Sequence, residues 1–356
     1  MIPRRTLVTG IGSSLALAAR ARADDPVTIR FGFANVGVDN RQFSGGNFLA
    51  TAHAEHYIDK ELKDLPSVRI EYAFFKGAGP AVNEAFANGQ LDFASQGDLP
   101  QVIARANGLK TRQLLANGAH APMYLIVQPG SDIRTVKDLK GRKVAIFRGT
   151  NNHLAAVKVL AAAGLTERDL QGINMDEASA TAALVTGNID ATFGNFGALL
   201  LADKGLARIA YTTKGDNPAF ERQGTLIAAD SFVAKYPDLT QRVVTAAVKA
   251  AHWSSREENR EAAFEIWARS GRPPSVYRAD YDGQAMKYRN SPLIDDYLIE
   301  QYRVQARQAK EHGLLRRDVS VDGWFDKRFL DTALKQLDLE RFWTRYNADG
   351  KPEGGA

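Results

Sequence analysis

Ala85-Phe86-Ala87-Asn88-Gly89-Gln90-Leu91-Asp92-Phe93 and Ala183-Leu184-Val185-Thr186-Gly187-Asn188-Ile189-Asp190-Ala191 follow one pattern. Each reads as a helix end, a glycine stop, and a short strand opened by an apolar residue and Asp. Each runs into a small loop that carries glycine. The loops are Ser95-Gln96-Gly97-Asp98 and Phe193-Gly194-Asn195-Phe196-Gly197. An α/β unit used twice in one chain predicts two similar lobes. Two facing lobes enclose a cleft, with the repeated loops on its walls.

Working outward, the same order of elements fits both halves. In the first, strands are expected at 27–33 and 68–74 and a helix at 47–63. The turn Lys76-Gly77-Ala78-Gly79-Pro80 leads into the helix that ends at Gly89. Asp98 is placed to cap the next helix. In the second, a strand at 143–147 feeds the loop Arg148-Gly149-Thr150-Asn151 and a helix to about 163. Strand 172–175, helix 178–186 and strand 189–193 follow. Segments 113–119 and 123–127 carry the chain across, and 223–229 carries it back. Helices at 239–256, 258–270, 293–311 and 329–337 complete the first lobe. Alternating strands and helices predict parallel sheets, with ligands beyond the carboxyl ends of the strands. Two crossings at two places make a hinge. The expected division is lobe 1 at 24–121, lobe 2 at 122–220, and the return strand with C-terminal helices at 221–346. A Gly- and Pro-bearing tail at 347–356 is expected to be flexible.

The first 23 residues stand apart. Arg4 and Arg5 precede a small-residue apolar run, and Ala21-Arg22-Ala23 offers a cleavage site before Asp24. That is the layout of a secretory signal peptide, too short for a membrane span. Arg4-Arg5-Thr6-Leu7 also resembles a twin-arginine signal. An ordinary basic n-region is the alternative. Without Arg4, Arg5, Arg20 and Arg22, the 46 basic and 41 acidic residues leave a net charge near +1. That balance carries no nucleic-acid footprint. The sequence has no cysteine, so neither a disulfide framework nor a lipid-anchored N-terminus is open to it. The expected location is the periplasm, as a monomer.

The string Val136-Lys137-Asp138-Leu139-Lys140-Gly141-Arg142-Lys143-Val144-Ala145 resembles a signature of periplasmic solute-binding proteins. With Gly97-Asp98-Leu99-Pro100 and Gly149-Thr150-Asn151-Asn152-His153, the chain resembles their nitrate-, taurine- and aliphatic-sulfonate-binding branch. The resemblance covers nearly all of the mature chain. It implies a two-lobed α/β flytrap fold of type II, with parallel or mixed sheets and a small organic anion in the cleft. A sulfonate or related organosulfur compound is the expected ligand. It also implies an ABC permease and its ATPase as partners, no cofactor and no catalysis. Carried over by motif, the ligand loops would include Gly77, Gly79, Gln96, Gly97, Asp98, Gly149 and Asn195, with Asn35 from the first-strand loop. Relatives often carry Trp and an acid where this chain has Gly194-Asn195-Phe196. The amide points to a ligand larger or more apolar than taurine.

The residues support an anion site on physical grounds. Predicted helices begin after Gly79, Gly97 and Gly149, and helix N-termini present free N–H groups to anions. Thr150 and Asn151 can cap their helix or donate to a ligand. His153 lies one turn further, either facing the cleft or on plain polar surface. Arg148 is a counter-ion or a solvated end of strand. Asp98 either caps its helix or receives an amine or hydroxyl of the ligand. Phe196, with Phe75 and Phe193, can supply an apolar wall. Nitrate, a carboxylate or an aromatic acid is the alternative cargo. A second alternative is a cysteine-free enzyme on the same fold. His53-Ala54-Glu55-His56 lacks the spacing of a zinc helix, and no Gly-x-Ser-x-Gly elbow occurs. Desulfinases and a pyrimidine-forming enzyme share the implied fold, but both rely on cysteine.

Overall fold

The computed structural model describes residues 26–353. The expected leader lies outside the described residues. The chain opens with β1 (Val27–Phe33), α1 (Phe48–Ala54), α2 (Tyr57–Glu61), β2 (Val68–Phe74), α3 (Ala78–Ala87), β3 (Phe93–Gly97), α4 (Asp98–Ala106) and β4 (Thr111–Ala116). It crosses to β5 (Tyr124–Val127), β6 (Lys143–Ile146), α5 (Asn151–Ala162), β7 (Gln171–Asn174), α6 (Glu177–Val185), β8 (Ala191–Gly194), α7 (Gly197–Asp203) and β9 (Arg208–Thr212). It returns through β10 (Gly224–Ala229) to α8 (Asp230–Lys235), α9 (Pro237–Ser255), α10 (Arg260–Ala268), α11 (Pro274–Tyr281), α12 (Met286–Arg289), α13 (Asp296–Glu311) and α14 (Arg328–Gln336).

Two five-stranded sheets result, ordered β2-β1-β3-β10-β4 and β7-β6-β8-β5-β9. Both are mixed rather than all parallel. The first strand after each crossing, β5 in one lobe and β10 in the other, runs antiparallel between its neighbours. A strand that enters a sheet directly from the other lobe has no crossover helix to turn it parallel.

The sequence repeat is a repeat of hydrogen bonds. Gly89 and Gly187 adopt φ of +65° and +75°, the left-handed stop that glycine permits. The next amide donates back to the helix in each copy, Gln90 to Ala85 and Asn188 to Ala183, both at 2.8 Å. Asp92 and Asp190 then clasp β1 and β6 of their own lobes. Each donates its N–H to the carbonyl of Arg30 or Lys143 at 2.9 Å. Each accepts that residue's N–H on Oδ2, at 2.9 and 2.8 Å. The aspartate therefore sets where its strand starts, and so where the loop beyond the strand emerges.

The lobe 1 sheet is packed by α9, α13 and α14, with Phe31, Phe93, Val243, Val244 and Trp324 buried together. The lobe 2 sheet is covered on both faces, by Leu160 and Val159 of α5 on one and by Leu184 and Leu199 on the other. Helices α10 and α11, the latter unforeseen, wedge between the lobes. Phe264, Trp267, Tyr277 and Tyr281 pack on Ala50 of lobe 1, while Phe196 of lobe 2 closes the cluster. Behind it, Asp280 pairs with Arg289 at 2.8 Å and accepts from the Tyr124 hydroxyl of β5 at 2.8 Å.

Two further expectations needed correcting. The helix expected at 47–63 is two helices, broken at His56, whose φ of 55° leaves the right-handed region. The tail is not loose through residue 353. Asn347 accepts from the N–H groups of Asp349 and Lys351, and Glu353 donates to Arg345.

Candidate functional site

A cleft of about 540 Å³ lies between the lobes, walled by both and floored by the crossing segments. Helices α3, α4, α5 and α6 all point their N-termini at it. Their dipoles sum to a positive field there. The ends differ in what they can donate. Asp176 caps α6 by accepting from Ala178 and Ser179. At α4, Asp98 N–H goes to the Gln223 carbonyl, Leu99 N–H goes to Asp98, and Pro100 has none. No side chain caps α3 or α5. Among the described residues, nothing accepts from the N–H groups of Gly79, Asn151 or Asn152. These three donors stand on opposite lobes and on the lining of one cleft.

Arg222, on the return crossing beside Ala121 of the outgoing one, lines the same cleft. It is 6% exposed, and its Nε and Nη2 both donate to the Pro122 carbonyl. It has no ion-pair partner among the described residues. Burial pulls its pKa down, against the distant pull of Asp280. A buried guanidinium without a carboxylate is costly unless an anion completes it.

Of the residues expected from sequence, Asn35, Gly79, Gln96, Gly97, Thr150, Asn151, Asn195 and Phe196 line this cleft. Five do not, and each has a physical reason. Gly77 stands outside, at the N-cap of α3. Gly149 turns at φ +77°, and its N–H donates to Nδ1 of His153. His153 is 5% exposed, and its Nε2 meets Glu167 at 3.1 Å, so it faces its own lobe. Arg148 reaches toward the same Glu167, at 3.7 Å. Asp98, 2% exposed, is no cap. It lies inside α4 and accepts the Gln223 N–H at 2.7 Å, pinning the hinge. Asn195 lines the cleft with its amide already used. Oδ1 accepts from Gly197 N–H at 2.8 Å, and Nδ2 donates to Glu177 at 3.1 Å.

Sequence reasoning missed the cations. Lys76, Arg222, Arg272 and Arg289 all line the cleft. Only Lys76 lies in a segment singled out beforehand.

The profile of one family, described as NMT1/THI5 like, matches residues 70–259. The chain belongs to the NMT1/THI5-like family. A protein of Escherichia coli described as aliphatic sulfonates-binding is 33% identical over 182 residues. That stretch is 50% of this chain and 52% of the relative, so about half the relative's length is spanned. A crystal structure described as a periplasmic sulfonate-binding protein SsuA of Methylobacillus flagellatus KT is 32% identical, with a TM-score of 0.75. The match covers 91% of this chain and 98% of that one. The desulfurization enzyme DSZB, at 18% identity and a TM-score of 0.64, shares the fold over 87% of this chain and 99% of its own. The fold read from the motifs is therefore the fold of these solved structures.

In this NMT1/THI5-like chain the two lobes come close at Gly97. A methyl group added at Gly97 would sit 2.6 Å from Nδ2 of Asn151 and 2.7 Å from its Cγ. The backbone of Gly97 would accept alanine, so the clash belongs to the approach of the lobes alone. Gly97→Ala should cost about 1–3 kcal/mol of closure. Ligand affinity should fall about 5- to 150-fold in calorimetric titration, with little loss of melting temperature.

Behind that contact, Lys158 of α5 is buried and donates to the Ala219 carbonyl at 2.8 Å. Burial pushes its pKa from 10.5 down to about 8, opposed by Asp98. Burial in turn raises that of Asp98, opposed first by the Gln223 N–H and then by Lys158. The unfolded chain therefore holds a proton on Lys158 that the folded chain has lost between about pH 8 and 10.5. Stability from this group rises with pH across that window, by about 1 kcal/mol between pH 7 and 9. Urea unfolding of Lys158→Met should show that increment removed.

Proposed function

We propose that the protein is the periplasmic substrate-binding component of an ABC importer and captures a sulfonate in this cleft. The observation that carries the reading is the unpaired, buried guanidinium of Arg222 lining one cleft with free N–H groups of Gly79, Asn151 and Asn152. A tetrahedral oxyanion head offers several acceptor oxygens to donors converging from two lobes and the hinge. The apolar wall suits the carbon skeleton. Met175, Phe193, Phe196, Leu200 and Leu201 lie on the lobe 2 side. What the E. coli and M. flagellatus proteins are described as binding supports the same class of ligand.

Closure brings both sets of donors onto one head group, so the ligand binds the closed state better than the open one. That differential affinity is what shifts the population toward the form a permease would receive. Export by the N-terminal leader and delivery to a permease with its ATPase belong to the same proposal. A protein of this kind returns its ligand unchanged, whereas an enzyme on the DSZB fold would not.

A thermal-shift panel of alkanesulfonates, sulfate esters, nitrate and dicarboxylates tests the reading. A ligand at a hundred times its Kd adds about 2.7 kcal/mol to stability. That should raise Tm by several degrees for alkanesulfonates. A shift with dicarboxylates or nitrate and none with any sulfonate would replace the ligand class. Chromatography of the bound sulfonate after incubation should recover it intact.

A further inference from the structure

The charges that line the cleft nearly cancel. Lys76 pairs with Asp176 across the lobes at 3.9 Å, Arg272 with Glu177 at 3.2 Å, and Arg289 with Asp280 at 2.8 Å. Arg222 is left without a carboxylate among the described residues. The one other acid on the lining, Asp39, is exposed at the rim, where solvent and salt screen it. The site is one negative charge short.

The Arg272–Glu177 pair differs from the other two. Arg272 follows α10, on the lobe 1 side, and its side chain is 13% exposed. Its guanidinium lies 5.4 Å from the centre of the Phe196 ring of lobe 2. Both Arg272 and Glu177 line the cleft, so the cation is within reach of a ligand but already matched. Glu177 is held on both oxygens. Oε1 takes Arg272 and Oε2 accepts from Asn195 at 3.1 Å. A ligand with a second anionic group would find Arg272 only by bringing that group against a fixed carboxylate. Like charges so placed repel strongly in a half-dry site.

We propose that Glu177 is a charge selector, an internal counter-anion that occupies Arg272 and limits the cleft to ligands with one negative charge. This rests on the reading of the cleft as a sulfonate receptor. In that reading Arg272 is a second anion position that the protein keeps filled.

Calorimetric titration with alkanemonosulfonates and α,ω-alkanedisulfonates of two to eight carbons tests it. The wild-type protein should prefer the monosulfonate at least tenfold at every chain length. Glu177→Gln removes the charge but keeps a carbonyl to accept from Asn195. It should shrink the preference at least tenfold at one chain length or more. Adding Arg272→Gln to that variant should restore the preference, and Arg272→Gln alone should widen it. The selector role is overturned if wild type binds disulfonates as well as monosulfonates. It is overturned too if Glu177→Gln leaves the ratio unmoved at every length, or if the double variant keeps the gain. Failure of every sulfonate to bind wild type would overturn the receptor reading itself, and the selector with it.

Discussion

Arg222→Met should weaken alkanesulfonate binding at least about thirtyfold while leaving the unliganded protein as stable as wild type. The two halves of that result have one cause. In the free protein the guanidinium is buried and, among the described residues, only the Pro122 carbonyl accepts from it. Its charge is thus desolvated and without an ion-pair partner among the described residues, a cost several kcal/mol deep that methionine, which keeps only an apolar stem, does not carry. The lost hydrogen bonds to Pro122 offset part of the gain, so the melting temperature should stay level or rise. In the complex the balance reverses. Truncating one partner of a desolvated charge pair costs about 2–5 kcal/mol, and about 1.4 kcal/mol is a factor of ten. Calorimetric titration and thermal unfolding of the same preparation read both halves. Undiminished affinity would place the anion elsewhere in the cleft.

Asp280→Ala should have the opposite profile and destabilise the whole protein by about 3–5 kcal/mol. Asp280 and Arg289 are 1% and 3% exposed, and their pairing is the most deeply buried ion pair among those described. Removing the carboxylate leaves Arg289 donating, among the described residues, only to the backbone carbonyl of residue 280 and to Oε1 of Gln284. The Tyr124 hydroxyl loses its acceptor as well. Because Tyr124 belongs to lobe 2 and Arg289 to the C-terminal helices, the loss falls on the wedge that holds the lobes in register. Urea unfolding should show the midpoint falling. Arg289→Met in the same background should recover part of the loss, since an apolar replacement no longer buries an unpaired charge.

The architecture was legible in the sequence because it rests on local chemistry written twice. Gly89 and Gly187 are needed where the helix must end in a left-handed turn, and Asp92 and Asp190 where the next strand must be clasped. Those residues announce themselves within nine positions. Much of the cleft followed from them, since loops after such strands have to emerge between the lobes. The cations did not follow. Glu221-Arg222-Gln223 reads as a run of surface residues, and nothing near it in sequence says that it is buried. Its burial comes from partners about a hundred positions away, at Ala121 and Pro122 of the other crossing. Arg272 and Arg289 are likewise brought to the cleft by the wedge of α10 and α11, whose second helix the sequence reading did not foresee.

His153 and Asp98 turn away from the cleft for a related reason. Helical spacing puts both near a helix start at the cleft, but spacing does not say which way a side chain turns. Glu167, fourteen positions on from His153, draws the imidazole into lobe 2. Gln223, in the crossing segment, draws the Asp98 carboxylate toward the hinge. In each case a hydrogen-bond partner supplied by tertiary structure decided the matter.

A crystal structure of the protein with a bound alkanesulfonate would show which donors hold the anion. Sulfonate oxygens should lie within hydrogen-bonding distance of the Arg222 guanidinium and of N–H groups from both Gly79 and Asn151 or Asn152, with the carbon chain toward Phe196. A sulfonate held away from Arg222, or by one lobe alone, would contradict the proposed mode of binding.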